Sequence, residues 1–178
     1  MHRSVQDYIQ TIPTEYIQDK DVLEVGSRNI NGNIKDIILS KQPRNYVGTD
    51  KEKGKGVNIA VPVEELTSTF GQCAWDVIVT TETLEHIQDW RTGLDEMKKV
   101  LRPGGLLIIT TRSPGFPQHD YPEDYHRYTK KDIEYILRDM VLLDLQDDPM
   151  ANGVFVTTYK PVMFELCDNS DYNLHKIE

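Results

Sequence analysis

Short apolar runs alternate with helix-like segments along most of the chain. Seven runs are rich in β-branched and large aliphatic residues and are bounded by glycine, proline or polar residues, so each is predicted to form a β-strand. They comprise residues 21–25, 45–49, 56–60, 75–80, 105–111, 141–145 and 154–159. The runs at 75–80 and 105–111 are nearly continuous in apolar residues, which is typical of central parallel strands covered on both faces.

Apolar residues recur at helical spacing between these runs. Helices are predicted over residues 5–12, 33–39, 64–70 and 90–101, and from Thr129 to about Asp139. Thr129 has the character of an N-cap, with Asp132 in the capping-box position. The alternation predicts an α/β fold with a mainly parallel sheet. The last two strands flank the turn-rich segment 147–153 and are predicted to form an antiparallel hairpin.

Polar residues cluster where the predicted parallel strands end. Ligands of such sheets bind at the carboxyl ends of the strands, which here are Val25, Thr49, Ala60, Thr80 and Thr111. A glycine that follows a buried strand lets the backbone approach a ligand closely, and Gly26 has that position. An acid at the end of the second strand can accept hydrogen bonds from both hydroxyls of a ribose, and Asp50 has that position.

The acidic charge balance of the chain excludes some classes of binding partner. The 178 residues include 20 Lys and Arg against 29 Asp and Glu, a formal net charge of −9. Such a chain offers no broad basic surface for nucleic acid or an anionic membrane, so neither partner is expected. No apolar stretch is long enough to span a bilayer and no secretory signal is visible, so a cytoplasmic location is expected. Two isolated cysteines predict neither a disulfide framework nor a zinc site.

Several motifs occur in one order along the chain. Asp76 lies at the start of the fourth predicted strand, and Leu84-Glu85-His86 follows that strand. The turn at 101–105 precedes the fifth strand. With the turn at Glu24-Val25-Gly26 and the acid Asp50, these motifs resemble class I S-adenosylmethionine-dependent methyltransferases, in the branch of the methyltransferase type 11-like family, over residues 21–159. The resemblance implies a Rossmann-like, seven-stranded, mostly parallel sheet with helices on both faces. It also implies S-adenosyl-L-methionine as cofactor, S-adenosyl-L-homocysteine as product and a small-molecule acceptor.

The resemblance also implies roles for individual residues. Those lining the methionine end of the cofactor would be Glu24, Gly26 and Ser27. Asp50 would hold the ribose hydroxyls, with Lys51 beside the adenine. The backbone N–H of Val63 and the carboxylate of Glu64 would contact the adenine edge. Thr81 and Glu82 would close over the cofactor near its sulfonium, with His86 facing the acceptor.

Two departures from the family pattern affect the expected affinity. Arg28 and Ile30 stand where the family has glycines, so their Cβ atoms are expected to narrow the approach to the cofactor. Pro62 stands where an aspartate often contacts the adenine amino group, which is why that role passes to Glu64.

The loop from Arg112 to Tyr128 follows the fifth strand, where this fold builds its acceptor site. Long irregular loops are often functional, and this one contains His119 and His126. With His86, these are the candidates for a general base with a pKa near neutrality. The secondary candidates are the carboxylates of Glu82, Asp120 and Glu123. The alternative is an ordered loop that only covers the core.

A metal site made of His119, Asp120, Glu123 and His126 fits no standard spacing, so no metal is expected. The whole chain, 1–178, is expected to form one methyltransferase domain. Residues 1–20 would be a helical lid with Tyr8 and Tyr16 over the cofactor, 21–160 the core, and 161–178 a polar tail that frays. A homodimer that completes the acceptor pocket stays open.

Two other functions fit parts of the pattern. A nicotinamide-dependent oxidoreductase shares the glycine turn and the acid after the second strand, but the Gly-x-Gly-x-x-Gly spacing is absent. A non-catalytic methyltransferase-like scaffold would explain the altered glycine turn. The polar residues Glu24, Asp50 and Glu82 favour an enzyme, because a scaffold has no need for polar groups that converge on one cleft.

Overall fold

The computed structural model describes residues 2–119 and 124–176. The helices are α1 (Arg3–Thr11), α2 (Lys35–Ser40), α3 (Leu66–Phe70), α4 (Trp90–Val100) and α5 (Lys130–Ile136), and short 3₁₀ helices cover Thr14–Tyr16, Val63–Glu65 and Leu84–His86. The strands are β1 (Asp21–Val25), β2 (Asn45–Asp50), β3 (Ile59–Ala60), β4 (Trp75–Thr81), β5 (Leu101–Arg112), β6 (His126–Arg127), β7 (Val141–Asp147), β8 (Gly153–Tyr159) and β9 (His175–Lys176).

One seven-stranded sheet has the order β3-β2-β1-β4-β5-β8-β7. The first five strands in this order are parallel, whereas β8 is antiparallel to both β5 and β7. The α/β class, the mainly parallel sheet and the C-terminal hairpin are therefore confirmed. The strand β5 begins at Leu101, earlier than predicted, because Leu101 pairs with Trp75 before the irregular turn at Gly104.

Both faces of the sheet are covered. Successive residues of a strand point to opposite faces, so Val22, Val77 and Ile108 pack with α1 and α2, while Leu23, Ile78 and Leu107 pack with α3, α4 and α5. Parallel strands need this double cover, which explains their nearly continuous apolar sequences. The predicted capping box is present, since Thr129 accepts a hydrogen bond from the Asp132 backbone and Asp132 accepts one from the Thr129 backbone.

The N-terminal segment does not place its tyrosines over the predicted cofactor cleft. Tyr8 is buried in the core, where its hydroxyl lies 2.8 Å from the hydroxyl of Thr157 on β8. Tyr16 lines a cavity with Arg102 and Pro103, at the opposite edge of the sheet from the carboxyl ends of the parallel strands. Both tyrosines therefore lie away from the cleft, and the apolar face of α1 packs against the sheet.

The C-terminal segment, predicted to be a polar tail that frays, packs on the core through Leu174. Leu174 is buried in the same core as α4 and α5, and the Tyr172 hydroxyl donates a 2.6 Å hydrogen bond to Asp132. The strands β6 and β9 pair in antiparallel fashion.

A charged cluster closes the amino-terminal edge of the sheet. Arg102 contacts Asp76 at 2.7 Å and Asp21 at 3.1 Å, and Arg44 contacts the same two carboxylates. Two of the family-like sequence motifs, Asp76 and the turn at 101–105, therefore meet here, far from the carboxyl edge. The ion pairs of Arg102 with Asp76 and Asp21 join the starts of β1, β4 and β5 and so favour the observed register of these strands.

Candidate active site

Two neighbouring cavities open at the carboxyl edge of the parallel strands. The larger has a volume of about 250 Å³ and the smaller about 130 Å³. Both are lined by Gly26, Asp50, Thr83 and His86, so they form one continuous cleft above β1, β2 and β4. This is the edge at which the sequence places ligand binding.

The larger cavity combines charged and apolar walls. Four residues predicted to contact the ribose and adenine lie on it, namely Asp50, Lys51, Val63 and Glu64. Val61 and Ile87 complete an apolar surface beside Val63. A flat apolar surface next to a carboxylate suits a nucleoside, whose base stacks and whose sugar hydroxyls donate hydrogen bonds.

The smaller cavity holds the remaining predicted cofactor residues, Glu24, Gly26, Ser27, Thr81 and Glu82. Its walls contain several carboxylates and main-chain groups at the ends of β1 and β4. A carboxylate-rich cavity favours a cationic ligand group.

Glu24 is nearly inaccessible to solvent at the end of β1. Burial raises the pKa of its carboxyl to about 7, and the hydrogen bond that the Tyr46 hydroxyl donates to Glu24 Oε2 opposes this rise. The charge of Glu24 therefore changes near neutral pH.

The turn directly after β1 requires a glycine at its first position. Gly26 has φ +79°, and a Cβ at this position would lie 2.0 Å from Thr83 Oγ1. Thr83 was not predicted as a site residue, although it belongs to the segment that follows β4.

A glycine of the facing loop comes close to the turn after β1. Arg28 pairs with Glu52, and the Ile30 side chain is exposed. A Cβ on Gly56, which has φ +93°, would lie 2.5 Å from the carbonyl oxygen of Ser27. Arg28 and Ile30 both line the smaller cavity, where the narrowing was expected.

Glu82 follows β4 with φ 50°, a conformation that costs energy in a residue with a Cβ. Its amide donates a 2.8 Å hydrogen bond to the Thr110 carbonyl, and its carboxylate pairs with Arg112. Arg112 is itself buried and contacts Asp148 at 3.0 Å. This network fixes the strained residue in the wall of the smaller cavity.

The three candidate histidines are not equivalent. His86 lines both cavities and His119 lines the smaller one, with their ring centroids 4.7 Å apart. His126 lies on β6, where its Nε2 is 3.1 Å from the Gln88 carbonyl oxygen, and it lines neither cavity. The structure thus brings two of the three into the cleft.

His119 lies against the buried ion pair of Asp124 and Arg127. Its Nδ1 lies 2.9 Å from Asp124 Oδ2, and its amide donates a hydrogen bond to the same oxygen at 3.2 Å. Arg127 donates to both oxygens of Asp124, at 2.5 and 2.7 Å. Asp120 and Glu123, the two carboxylates of this loop that the sequence singled out, lie outside the described residues.

Glu85 lies beneath the two histidines and is fully buried. Burial raises the pKa of its carboxyl to about 7. Thr111 donates a 2.8 Å hydrogen bond to Oε2, whereas Oε1 has no hydrogen-bond partner among the described residues.

Sequence reasoning missed several residues of the cleft, among them Val61, Thr83, Ile87, Gln88 and Tyr125. Val61 follows the end of β3 and Thr83 the end of β4, so the rule that placed the other residues could have found them. Tyr125 reaches the cleft because its amide donates a hydrogen bond to the Glu85 carbonyl, a contact between distant segments that the sequence pattern does not reveal.

No helix in the described ranges is long and apolar enough to cross a membrane.

A family model described as a methyltransferase domain matches residues 1–140. The chain belongs to this methyltransferase family. The assignment agrees with the resemblance in the sequence motifs and with the position of the cleft. S-adenosylmethionine is the methyl donor of the family, and the assignment favours methyl transfer over the nicotinamide-dependent alternative.

Known proteins similar to this methyltransferase act on different acceptors. A ubiquinone biosynthesis O-methyltransferase of Parvibaculum lavamentivorans is 31% identical over 70 residues, which is 39% of this chain and 27% of that protein. The chain thus matches only about a quarter of the length of this curated relative.

Two solved structures share the fold. One is the 1,6-didemethyltoxoflavin-N1-methyltransferase of Burkholderia thailandensis, solved with 1,6-didemethyltoxoflavin and S-adenosylhomocysteine, with a TM-score of 0.67 at 18% identity over 88% of this chain and 78% of that chain. The other is the N-methyltransferase NodS of Bradyrhizobium japonicum, with a TM-score of 0.69 at 14% identity over 89% of this chain and 96% of that chain. At these identities the likeness establishes the fold, whereas the acceptor is a separate question.

Proposed function

We propose that this protein transfers the methyl group of S-adenosylmethionine to a small-molecule acceptor that lies against His86 and His119. The observation that carries the proposal is the continuous cleft, which joins Asp50 at one end to Glu24 and the two imidazoles at the other. The neighbour that was solved with S-adenosylhomocysteine and a small heterocycle supports a ligand pair of this kind.

The residues of the cleft fit the cofactor. Asp50 would accept hydrogen bonds from the ribose hydroxyls, and Val61, Val63 and Ile87 would pack on the adenine. The carboxylate of Glu24 would face the ammonium group of the methionine moiety, and Gly26 has no side chain to obstruct it. When bound, the cofactor supplies an electrophilic methyl carbon and a neutral thioether leaving group.

The protein contributes mainly position to such a displacement. Asp124 and Arg127 hold His119 in one orientation at the mouth of the smaller cavity. His86 and His119 would hold the acceptor and assist the loss of its proton, so the catalytic assignment rests on these two residues and not on His126. An acceptor with an oxygen or nitrogen nucleophile suits two imidazoles better than an apolar carbon acceptor does.

A transfer assay with matched histidine variants tests the proposal. Purified protein is incubated with S-adenosylmethionine and a panel of phenols, carboxylic acids and heterocyclic amines, and S-adenosylhomocysteine is quantified by mass spectrometry. We expect one acceptor class to give turnover that falls by about 100-fold in His119→Ala and remains in His126→Ala. Equal losses in both variants would contradict the assignment of His119.

The same assay addresses the scaffold alternative. A folded protein that binds neither S-adenosylmethionine nor S-adenosylhomocysteine would favour a non-catalytic role. Binding of the cofactor without turnover on any tested acceptor would keep the cofactor site and exclude the acceptor classes on the panel.

A further inference from the structure

We infer that Glu85, His86 and His119 form a binding site for a divalent transition-metal ion at the methionine end of the cleft. The inference deepens the proposed function and rests on it for the role of the ion, whereas binding of the ion itself is independent of methyl transfer. The sequence analysis expected no metal and weighed a different set of residues within the 119–126 loop.

The three side chains converge. One ligand atom from each lies within 4.8 Å of the others. An ion with bonds of about 2.1 Å separates its ligands by at most about 4.2 Å, so small rotations about the side-chain bonds bring all three atoms into coordination distance. His86 and Glu85 come from one 3₁₀ turn and His119 from the loop after β5, so the site joins two segments of the fold.

The carboxylate of Glu85 is the strongest indication. It is fully buried, and its Oε2 accepts a hydrogen bond from Thr111. Its Oε1 is buried and has no hydrogen-bond partner in the described part of the chain. A buried carboxylate oxygen without a partner is costly, and a cation beside it would remove that cost.

The surroundings of His119 have the arrangement that metal-bound histidines use. Because Nδ1 faces Asp124 at 2.9 Å, Nε2 is the nitrogen that remains for an ion. A carboxylate on the far nitrogen fixes the ring and increases its basicity. Arg127 holds that carboxylate in turn, at 2.5 and 2.7 Å, so the group beside the ring is fixed.

The donor set determines the class of ion. Two imidazole nitrogens and one carboxylate oxygen suit Zn²⁺, Fe²⁺ or Co²⁺, whereas Mg²⁺ and Ca²⁺ prefer oxygen ligands throughout. Three protein ligands leave at least one coordination position for another molecule. His86 and His119 both line the smaller cavity, so that position faces the cleft.

The ion would hold the acceptor through its nucleophilic atom. Coordination lowers the pKa of a hydroxyl or an amine, so its proton leaves to water before the transfer. A lone pair of that oxygen or nitrogen then forms the bond to the methyl carbon while the carbon–sulfur pair returns to sulfur. This role restricts the acceptor to molecules with an oxygen or nitrogen donor atom.

Titration of the metal-stripped full chain with Zn²⁺, in the absence of S-adenosylmethionine, tests the site. We expect one ion per chain, and with Co²⁺ a visible absorption band of imidazole and carboxylate coordination. Glu85→Gln and His119→Asn should each weaken Zn²⁺ binding at least about 10-fold, and Asp124→Asn about 10-fold through the loss of the carboxylate behind His119. His126→Asn, on the same segment but outside the cleft, should bind as the wild type does.

Several results would overturn the inference. One is weak binding of more than one Zn²⁺ per chain. The others are a loss of Zn²⁺ affinity in His126→Asn equal to that in His119→Asn, and no loss of affinity in His119→Asn. Each of these results would indicate an adventitious ion only. Glu85 is buried and its substitution can impair folding, so His119→Asn in the loop serves as the second variant, with its circular dichroism compared to wild type. S-adenosylhomocysteine binding is measured on the same samples. Its retention without Zn²⁺ binding refutes the metal site alone, and its absence in the wild type refutes the proposed function.

Discussion

The hydroxyl of Tyr46 on β2 donates a hydrogen bond to the carboxylate of Glu24 on β1, inside the sheet at the wall of the smaller cavity. Glu24 is buried, and its carboxyl has a pKa of about 7, against an ordinary value of 4.5. The residue proposed to face the cofactor ammonium group therefore gains its charge near neutral pH.

Cofactor affinity should depend on pH through Glu24. Since the carboxyl loses its proton near pH 7, binding of S-adenosylhomocysteine should tighten as pH rises from about 6 to about 8. Glu24→Gln should bind more weakly and show little of this dependence. Calorimetric titrations at several pH values measure both effects, and an unchanged slope in Glu24→Gln would show that another group titrates.

The Tyr46→Phe variant should move the midpoint of this pH dependence upward. The tyrosine hydroxyl stabilises the ionised carboxylate, so its loss leaves burial as the dominant influence on the pKa of Glu24. Tyr135→Phe, on the exposed side of α5, is the matched control and should leave the midpoint in place. A midpoint unaffected by Tyr46→Phe would separate the pH dependence from this hydrogen bond.

Protein stability should change in the opposite direction, over a range that begins at lower pH. The folded-state pKa of Glu24 lies above its unfolded value, so the native protein binds more protons between about pH 4.5 and 7 and the free energy of unfolding falls as pH rises. The contribution of this one group is about 3 kcal/mol. Denaturant unfolding should therefore show a smaller loss across this window in Glu24→Gln, and an equal loss would contradict the assignment.

The glycine after β1 should be irreplaceable for two reasons. Gly26→Ala introduces a Cβ at positive φ and pushes it against Thr83, so the free energy of unfolding should fall by about 2–4 kcal/mol and cofactor binding should weaken. Gly104→Ala has a similar φ of +78° with nothing within 4 Å, and should lose only about 1–2 kcal/mol. Urea denaturation compares the two, and equal losses would show that contact with Thr83 adds nothing.

The C-terminal segment should contribute to folding. Leu174 is buried beside α4 and α5, and Leu174→Ala should cost about 2–3 kcal/mol of unfolding free energy. Met163→Ala removes an apolar side chain from the same segment, but Met163 is 92% exposed and its loss should change stability by less than about 0.5 kcal/mol. A neutral Leu174→Ala would mean that the segment adds no stability.

The sequence predicted the elements with a regular pattern and missed contacts between distant segments. The strand from Asp21 to Val25 has the predicted bounds because its apolar residues alternate between two buried faces. Leu174 is a single apolar residue in a polar stretch, so no periodicity announced its burial. The pairing of the two-residue strands β6 and β9 likewise had no periodic pattern from which it could be predicted.

The residues of the site also fall into a group that the sequence predicted and a group that it missed. Residues at strand ends, such as Asp50 and Glu82, were found because topology alone brings strand ends together. The approach of Gly56 to Ser27 and the position of Glu85 beneath His119 depend on how loops fold over one another. Such contacts leave no local sequence signal.

The cleft around Asp50 is the proposed binding site of the methyl donor. Calorimetric titration with S-adenosylhomocysteine tests it most directly, using wild type, Asp50→Ala and Asp171→Ala, which removes the same charge from an exposed position in the C-terminal segment. We predict binding to wild type and Asp171→Ala and at least a tenfold loss, about 1.4 kcal/mol, in Asp50→Ala. No binding to folded wild type, or equal affinity in all three proteins, would contradict the account.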